Sequence, residues 1–187
     1  ILGYVWVRAN LKHTRTVEMR AMDDLFLWII IGVVFGGRIG SVLFYGFQQD
    51  SQRYFSDPMA WLAVWDGGMS FHGGFLGVLL AVVIWSRFNP KTRFWEVTDL
   101  LAISAPIGLF FGRIANFING ELYGRPTDVP WAMRFPTFGP NGVRDQWTEP
   151  RHPSQLYESF LEGLVLLIVL NVMWRNPAIR DRAGIVT

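Results

Sequence analysis

The amino-acid sequence predicts an all-α polytopic membrane protein. Three observations carry that prediction: apolar residues gather into blocks long enough to cross a bilayer, charge is sparse, and basic residues favour alternate connections. Of 187 residues, 51% are hydrophobic and only 17% charged, with fifteen phenylalanines and nine tryptophans. A soluble domain carries about 25% charged residues, and a membrane-spanning helix needs roughly 20 mostly apolar ones. Four blocks meet that requirement: Leu25 to Phe47, Gly68 to Phe88, Val97 to Ile118 and Leu156 to Trp174.

Ahead of them, Ile1 to Ala9 reads as the stub of another apolar element. The chain lacks an initiator methionine and stops at "DRAGIVT" soon after the last block. It is therefore expected to be an internal portion of a longer protein. Residues 1–187 form one membrane-embedded domain, incomplete at both ends, and the first segment gives no evidence of a signal peptide.

The connections orient the spans. Arg8, Lys12, Arg15 and Arg20 precede the first block; Arg87, Lys91 and Arg93 separate the second and third; Arg175, Arg180 and Arg182 follow the fourth. Between the first and second blocks only Arg53 stands against Asp50, Asp57 and Asp66. Basic residues mark cytoplasmic loops, so residues 119–155 face outward. Their Pro- and Trp-rich run "RPTDVPWAMRFPTFGP" suggests an ordered or re-entrant element near the headgroups.

Several chemistries are excluded. Without cysteine there is no disulfide, thiolate nucleophile or cysteine metal site. No basic stripe suits nucleic acid, no P-loop or dinucleotide fingerprint is present, and no metal site is expected.

Polar residues within apolar blocks are the functional candidates. In "WDGGMSFHGGFLG", His72 sits among Gly67, Gly68, Gly73 and Gly74 near the outer start of the second block. Glycines permit close backbone approach, and a neutral imidazole can accept a proton from a nucleophile. Equally, His72 can be an interfacial histidine hydrogen-bonded within a glycine-packed helix pair.

In "GRIANFINGELYGR", Arg113 and Asn116 share a helical face. Arginine suits phosphate; alternatively Glu121, Asp99 or Glu158 holds Arg113 to fix the bundle. Arg38 in "GGRIGS" can pair structurally too. "RHPSQLYES" opens the fourth block with Pro153 and Ser154 as helix-start residues. His152 and Arg151 lie at the outer boundary there, Gln155, Tyr157 and Glu158 can join a polar network, and Glu158 and Glu162 share a face. Such a set serves either a lipid-handling enzyme or a transporter or flippase of an anionic amphiphile. Inverted repeats would favour transport, and none is visible.

"GGRIGSVLFYG", "WDGGMSFHGGFLG", "GRIANFINGELYGRPTD" and "RHPSQLYES" together resemble the bacterial prolipoprotein diacylglyceryl transferase family, in that family's order, from about Val33 to Glu162. The resemblance implies an inner-membrane bundle of about seven spans with its site toward the periplasmic half. It would carry further spans on both sides of these residues, with an additional site arginine and tyrosines. It implies transfer of the diacylglyceryl group of phosphatidylglycerol to the lipobox cysteine thiol of a prolipoprotein, releasing glycerol 1-phosphate. This is the first step of lipoprotein maturation and would need no cofactor.

Residue by residue, His72 matches the family's essential histidine, with Gly67, Gly73 and Gly74 around it. Arg113 matches its lipid-binding arginine. Asn116, Asn119, Glu121 and Gly124 match the remainder of the long signature, and His152, Gln155, Tyr157 and Glu158 its "HPSQLYE" block. The resemblance thus implies His72 and Arg113 as catalytic. It implies Gly73, Arg113, Asn116, Asn119, Glu121, Gly124, His152, Tyr157 and Glu158 as substrate-binding.

Overall fold

A computed structural model describes residues 1–138 and 144–187. Four helices are long and apolar enough to cross a membrane: Met19–Gly46, Phe71–Phe88, Phe94–Asn119 and Ser154–Arg175. They correspond to the four predicted blocks, so the chain is an all-α polytopic membrane protein. By Cα proximity it forms two compact units, Asn10–Val97 and Ile1–Ala9 with Thr98–Thr187.

In the unit Asn10–Val97, α2 (Met19–Ser41) follows α1 (Leu2–Asn10) and a short turn, Leu11–His13. It begins ahead of the predicted Leu25 because the loop before it is anchored. The buried Glu96 carboxylate accepts hydrogen bonds from the backbone amides of Arg15 (3.2 Å) and Thr16 (3.0 Å) and from the Thr16 hydroxyl (2.9 Å). A wide π turn, Val42–Gly46, then continues α2 into α3 (Phe47–Ser56).

The second span, α4 (Phe71–Phe88), starts at Phe71 and not at the predicted Gly68. Gly67 and Gly68 have φ of +75° and +72°, left-handed values that end any helix reaching them from the C-terminal side. Ser70 caps the new start, its hydroxyl accepting from the Gly73 amide at 3.2 Å.

α2 and α4 meet along small residues four apart, Gly32, Gly36 and Gly40 against Gly73, Gly77 and Ala81. A Cβ on Gly36 would lie 2.5 Å from the Gly73 carbonyl oxygen, and one on Gly40 2.5 Å from the Gly73 Cα. Nothing larger than hydrogen fits, so the backbones touch, as in small-residue helix pairs in membranes. The outer faces carry exposed Phe75, Leu76, Leu79 and Leu80, which suit lipid.

In the second unit, α1 corresponds to the predicted stub and is tied by the Trp6 indole N–H, which donates to the Asn171 side-chain oxygen at 2.9 Å. Beside α5 (Phe94–Asn119) runs one long helix: α6 (Ser154–Glu158), a π segment (Ser159–Val165) and α7 (Leu166–Arg175). Its α5-facing residues recur in fours. The Ser159 hydroxyl donates to the Phe110 carbonyl (3.2 Å), Gly163 lies against Phe110, and the Asn171 amide donates to the Ile103 carbonyl (3.3 Å). A pure α-helix of 3.6 residues per turn drifts about 40° with every four residues. The wider π segment absorbs that drift and keeps the stripe on α5.

Residues 120–153 contain a short antiparallel hairpin, β1 (Pro136–Phe138) and β2 (Arg144–Trp147), which the sequence reading did not anticipate. Arg151 forms single bridges with Pro126 and Met133. Residues 139–143, within the predicted 119–155 element, lie outside the described residues. After α8 (Pro177–Arg180), the amides of Gly184 (2.6 Å), Val186 (3.0 Å) and Thr187 (2.9 Å) donate to the buried Asp99 carboxylate on α5.

The α2–α4 seam gives a first prediction. Gly77→Ala adds a methyl group where the Gly32 carbonyl lies and should cost about 1–3 kcal/mol. The measurement is the unfolding midpoint in detergent, which should fall; an unchanged midpoint would mean the seam can part without cost.

Candidate functional site

The site in the second unit forms where α5 ends. Arg113 is half-buried on α5, and its Nε lies 2.8 Å from Glu158 Oε2. Its Nη2 lies 3.8 Å from Glu162 Oε2. Of the three carboxylates weighed as its partner from sequence, Glu158 is the one it meets. A charge in an apolar helix requires such compensation. The pairing pins the guanidinium from its Nε side, and Nη1 has no protein partner among the described residues.

One turn on, Asn116 and Asn119 converge on Glu121. Their side-chain amides donate to Glu121 Oε1 at 3.0 and 3.1 Å. The backbone folds back to allow this, with the Glu121 amide donating to the Asn116 carbonyl (3.0 Å) and φ positive at Gly120 (+71°) and Leu122 (+54°). A left-handed leucine costs on the order of 1–3 kcal/mol. α6 holds it in place: Gln155, fully buried, donates to the Glu121 carbonyl (2.6 Å), and Ser154 donates to the Leu122 carbonyl (3.2 Å).

Gly124 and His152 are close neighbours. The Gly124 amide donates to the His152 carbonyl at 2.9 Å, and a Cβ on Gly124 would lie 3.0 Å from both the His152 Cβ and its carbonyl oxygen. Arg151 donates through Nη1 to the Gly124 carbonyl (3.2 Å) and through Nη2 to Glu149 (3.1 Å). The His152 Nδ1 lies 3.3 Å from the Tyr157 hydroxyl, which accepts from the Trp131 indole N–H at 2.6 Å. Sequence reasoning missed Trp131; its only signal was an aromatic next to proline in the 119–155 run.

His72 belongs to the other unit. It is the second residue of α4, exposed, with its ring edge-on to Phe71 at 5.8 Å and no hydrogen-bond partner among the described residues. The helix pair beneath it is glycine-packed, but the hydrogen-bonded interfacial role weighed from sequence does not appear. Gly73 is buried in the α2 seam and supplies its amide to the Ser70 cap. The loop leading to His72 is held by Arg38, buried, whose Nη1 donates to the Gly67 carbonyl (2.6 Å) and Nη2 to the Ala60 carbonyl (2.7 Å). Arg38 therefore has the structural role foreseen for it.

Arg113, Asn116, Asn119, Glu121, Gly124, His152, Tyr157 and Glu158 thus join one connected set on α5, the 120–124 turn and α6. Fold and site together define a polytopic helical membrane protein with an arginine at the end of a span, braced by carboxylates and bordered by amides. The chain belongs to the prolipoprotein diacylglyceryl transferase family, whose sequence profile matches residues 1–187.

It is 55% identical over 165 residues to the phosphatidylglycerol–prolipoprotein diacylglyceryl transferase of Azospirillum brasilense, covering 87% of this chain and 56% of that protein. Identity to the protein of the same name from Allorhizobium ampelinum is 49% over 175 residues, covering 94% of this chain and 56% of the relative. For Rhizobium meliloti the figures are 45% over 195 residues, with 100% and 65% covered. The chain therefore spans little more than half the length of the Azospirillum and Allorhizobium relatives.

The Asn119 and Asn116 donors, in that order, hold the Glu121 carboxyl below its ordinary value of 4.5. A folded-state value below the unfolded one stabilises the fold above the unfolded value and is lost as pH falls through the folded one. Glu121→Gln should therefore flatten the acid limb of stability against pH, measured by thermal unfolding across the mildly acidic range. An acid limb identical to the parent's would dissociate Glu121 from the asparagines.

Proposed function

We propose that the complete protein of which these residues are part resides in the bacterial inner membrane. There it transfers the diacylglyceryl group of phosphatidylglycerol to the lipobox cysteine thiol of prolipoproteins, releasing glycerol 1-phosphate. The observation that carries this reading is Arg113, whose Nε lies 2.8 Å from Glu158 and whose Nη1 has no partner among the described residues, one helical turn before the Asn116–Asn119–Glu121 cluster. The relatives are named phosphatidylglycerol–prolipoprotein diacylglyceryl transferases, which supports the lipid donor, the acceptor class and the group transferred. We place the site in the periplasmic half of the bilayer, with the 119–155 element outward, on the distribution of basic residues, and treat residues 1–187 as one membrane-embedded domain.

A thiol has a reference pKa near 8.5 and attacks well only as thiolate. His72 takes the thiol proton in this proposal. The sulfur then forms a bond to the glycerol carbon carrying the phosphate ester, and that C–O bond breaks. Its electron pair leaves on the oxygen of glycerol 1-phosphate. Arg113 neutralises charge on the phosphate as it departs, the arrangement in which fixed cations and donors contribute most. Asn116 and Asn119, held by Glu121, orient the headgroup, while Gly124, His152 and Tyr157 shape the surface around it.

The test is mass spectrometry of a synthetic lipobox peptide incubated with phosphatidylglycerol vesicles and the full-length protein. A diacylglyceryl adduct should form, and Arg113→Ala should reduce its rate about a hundredfold or more. Arg113→Lys, which keeps charge but loses the planar fork, should recover only part of that rate. No adduct from folded full-length protein would overturn the transferase reading and direct attention to vesicle transport.

A further inference from the structure

The side chains of Trp131, Tyr157 and His152 form a chain whose indole end has a fixed direction. An indole N–H can only donate. At 2.6 Å from the Tyr157 oxygen it therefore occupies the phenol's acceptor side. The phenol retains one proton to give, and the His152 Nδ1 lies 3.3 Å away to receive it. An Nδ1 that accepts leaves the neutral ring's proton on Nε2.

Nothing among the described residues accepts from that Nε2. The ring is half-buried, and its backbone carbonyl takes the Gly124 amide at 2.9 Å, so the imidazole is fixed by main chain on one side and by Tyr157 on the other. On α6, Tyr157 immediately precedes Glu158, the residue that pins Arg113.

We propose that His152 is a hydrogen-bond donor, through Nε2–H, to a phosphoglycerol oxygen, and that Trp131 sets this tautomer through Tyr157. The proposal deepens the transferase reading and rests on it for the identity of the ligand. It gives the molecule's histidines different tasks: His152 gives a hydrogen bond and moves no proton, and Trp131 and Tyr157 are positioning residues.

The tautomer can be read directly from long-range proton–nitrogen correlations of labelled imidazoles in full-length protein in phosphatidylcholine nanodiscs. His152 should show a protonated Nε2 and an accepting Nδ1, and Trp131→Phe should move it toward a mixture of tautomers. A protonated Nδ1 in the parent protein would overturn the proposal. Adding phosphatidylglycerol or soluble glycerol phosphate should then shift the Nε2 resonance. The arm that responds identifies the source of the oxygen, and no response in either overturns the donor role.

Kinetics gives an independent reading. A glutamine amide reaches the position of Nε2 and an asparagine amide that of Nδ1. His152→Asn should raise KM for phosphatidylglycerol about tenfold, the scale of a lost hydrogen bond to a charged group, and His152→Gln should restore most of the loss. The reverse ranking would show that His152 only braces Tyr157. Absence of any adduct from the parent protein would defeat the transferase reading, while the tautomer and the Nε2 shift would still decide the inference about His152.

Discussion

An ionised side chain in hydrocarbon must find a partner within the protein, and this constraint organises each unit. Arg38 reaches the carbonyls of Ala60 and Gly67. Glu96 gathers the amides of Arg15 and Thr16, and Asp99 those of Gly184, Val186 and Thr187. In each case the helix holds the charge and a connection supplies the partner, so neutralising the charge also positions a loop. These groups cost free energy to bury. What they supply in return is registry between spans and the segments joining them.

Arg113 is handled differently. Its partner is another ionisable side chain on a facing helix, and both remain partly accessible, with side-chain exposures of 28% and 33%. Backbone carbonyls hold Arg38 with no comparable opening. A guanidinium held on one edge by a carboxylate keeps its fixed geometry for a second anion. The two arginines are alike in sequence context, each within an apolar span near glycines, yet one is closed in by carbonyls and the other keeps an open edge.

The spans were legible because length and composition decide them, and their observed ends differ from the predicted ones for local reasons. Left-handed Gly67 and Gly68 moved the start of α4 to Phe71. The polar constellation at Arg113 was legible in its members, since an arginine, two asparagines and a glutamate close together in and just after an apolar span have few other uses. Its wiring was less so. Glu158 was one of three candidates for Arg113, and the role of Asp99 depends on backbone amides, that of Glu121 on the Asn116 and Asn119 side-chain amides, which only the folded chain brings near. The hairpin at 136–147 escaped notice because its strands are too short and proline-rich to show alternation. Trp131 escaped because an interfacial tryptophan usually needs no specific partner.

The contact between α2 and α4 is independent of charge. Glycine backbones in contact hold by dispersion and weak Cα–H···O interactions, and the Gly32–Gly36–Gly40 seam contains nothing that titrates. Added salt screens exposed charges but does not reach this interface. The helix that carries His72 therefore keeps its footing across changes of ionic strength, while the exposed arginine–carboxylate contacts around Glu149 and Glu162 loosen. Those ion pairs thus follow the ionic surroundings while the scaffold carrying the imidazole does not.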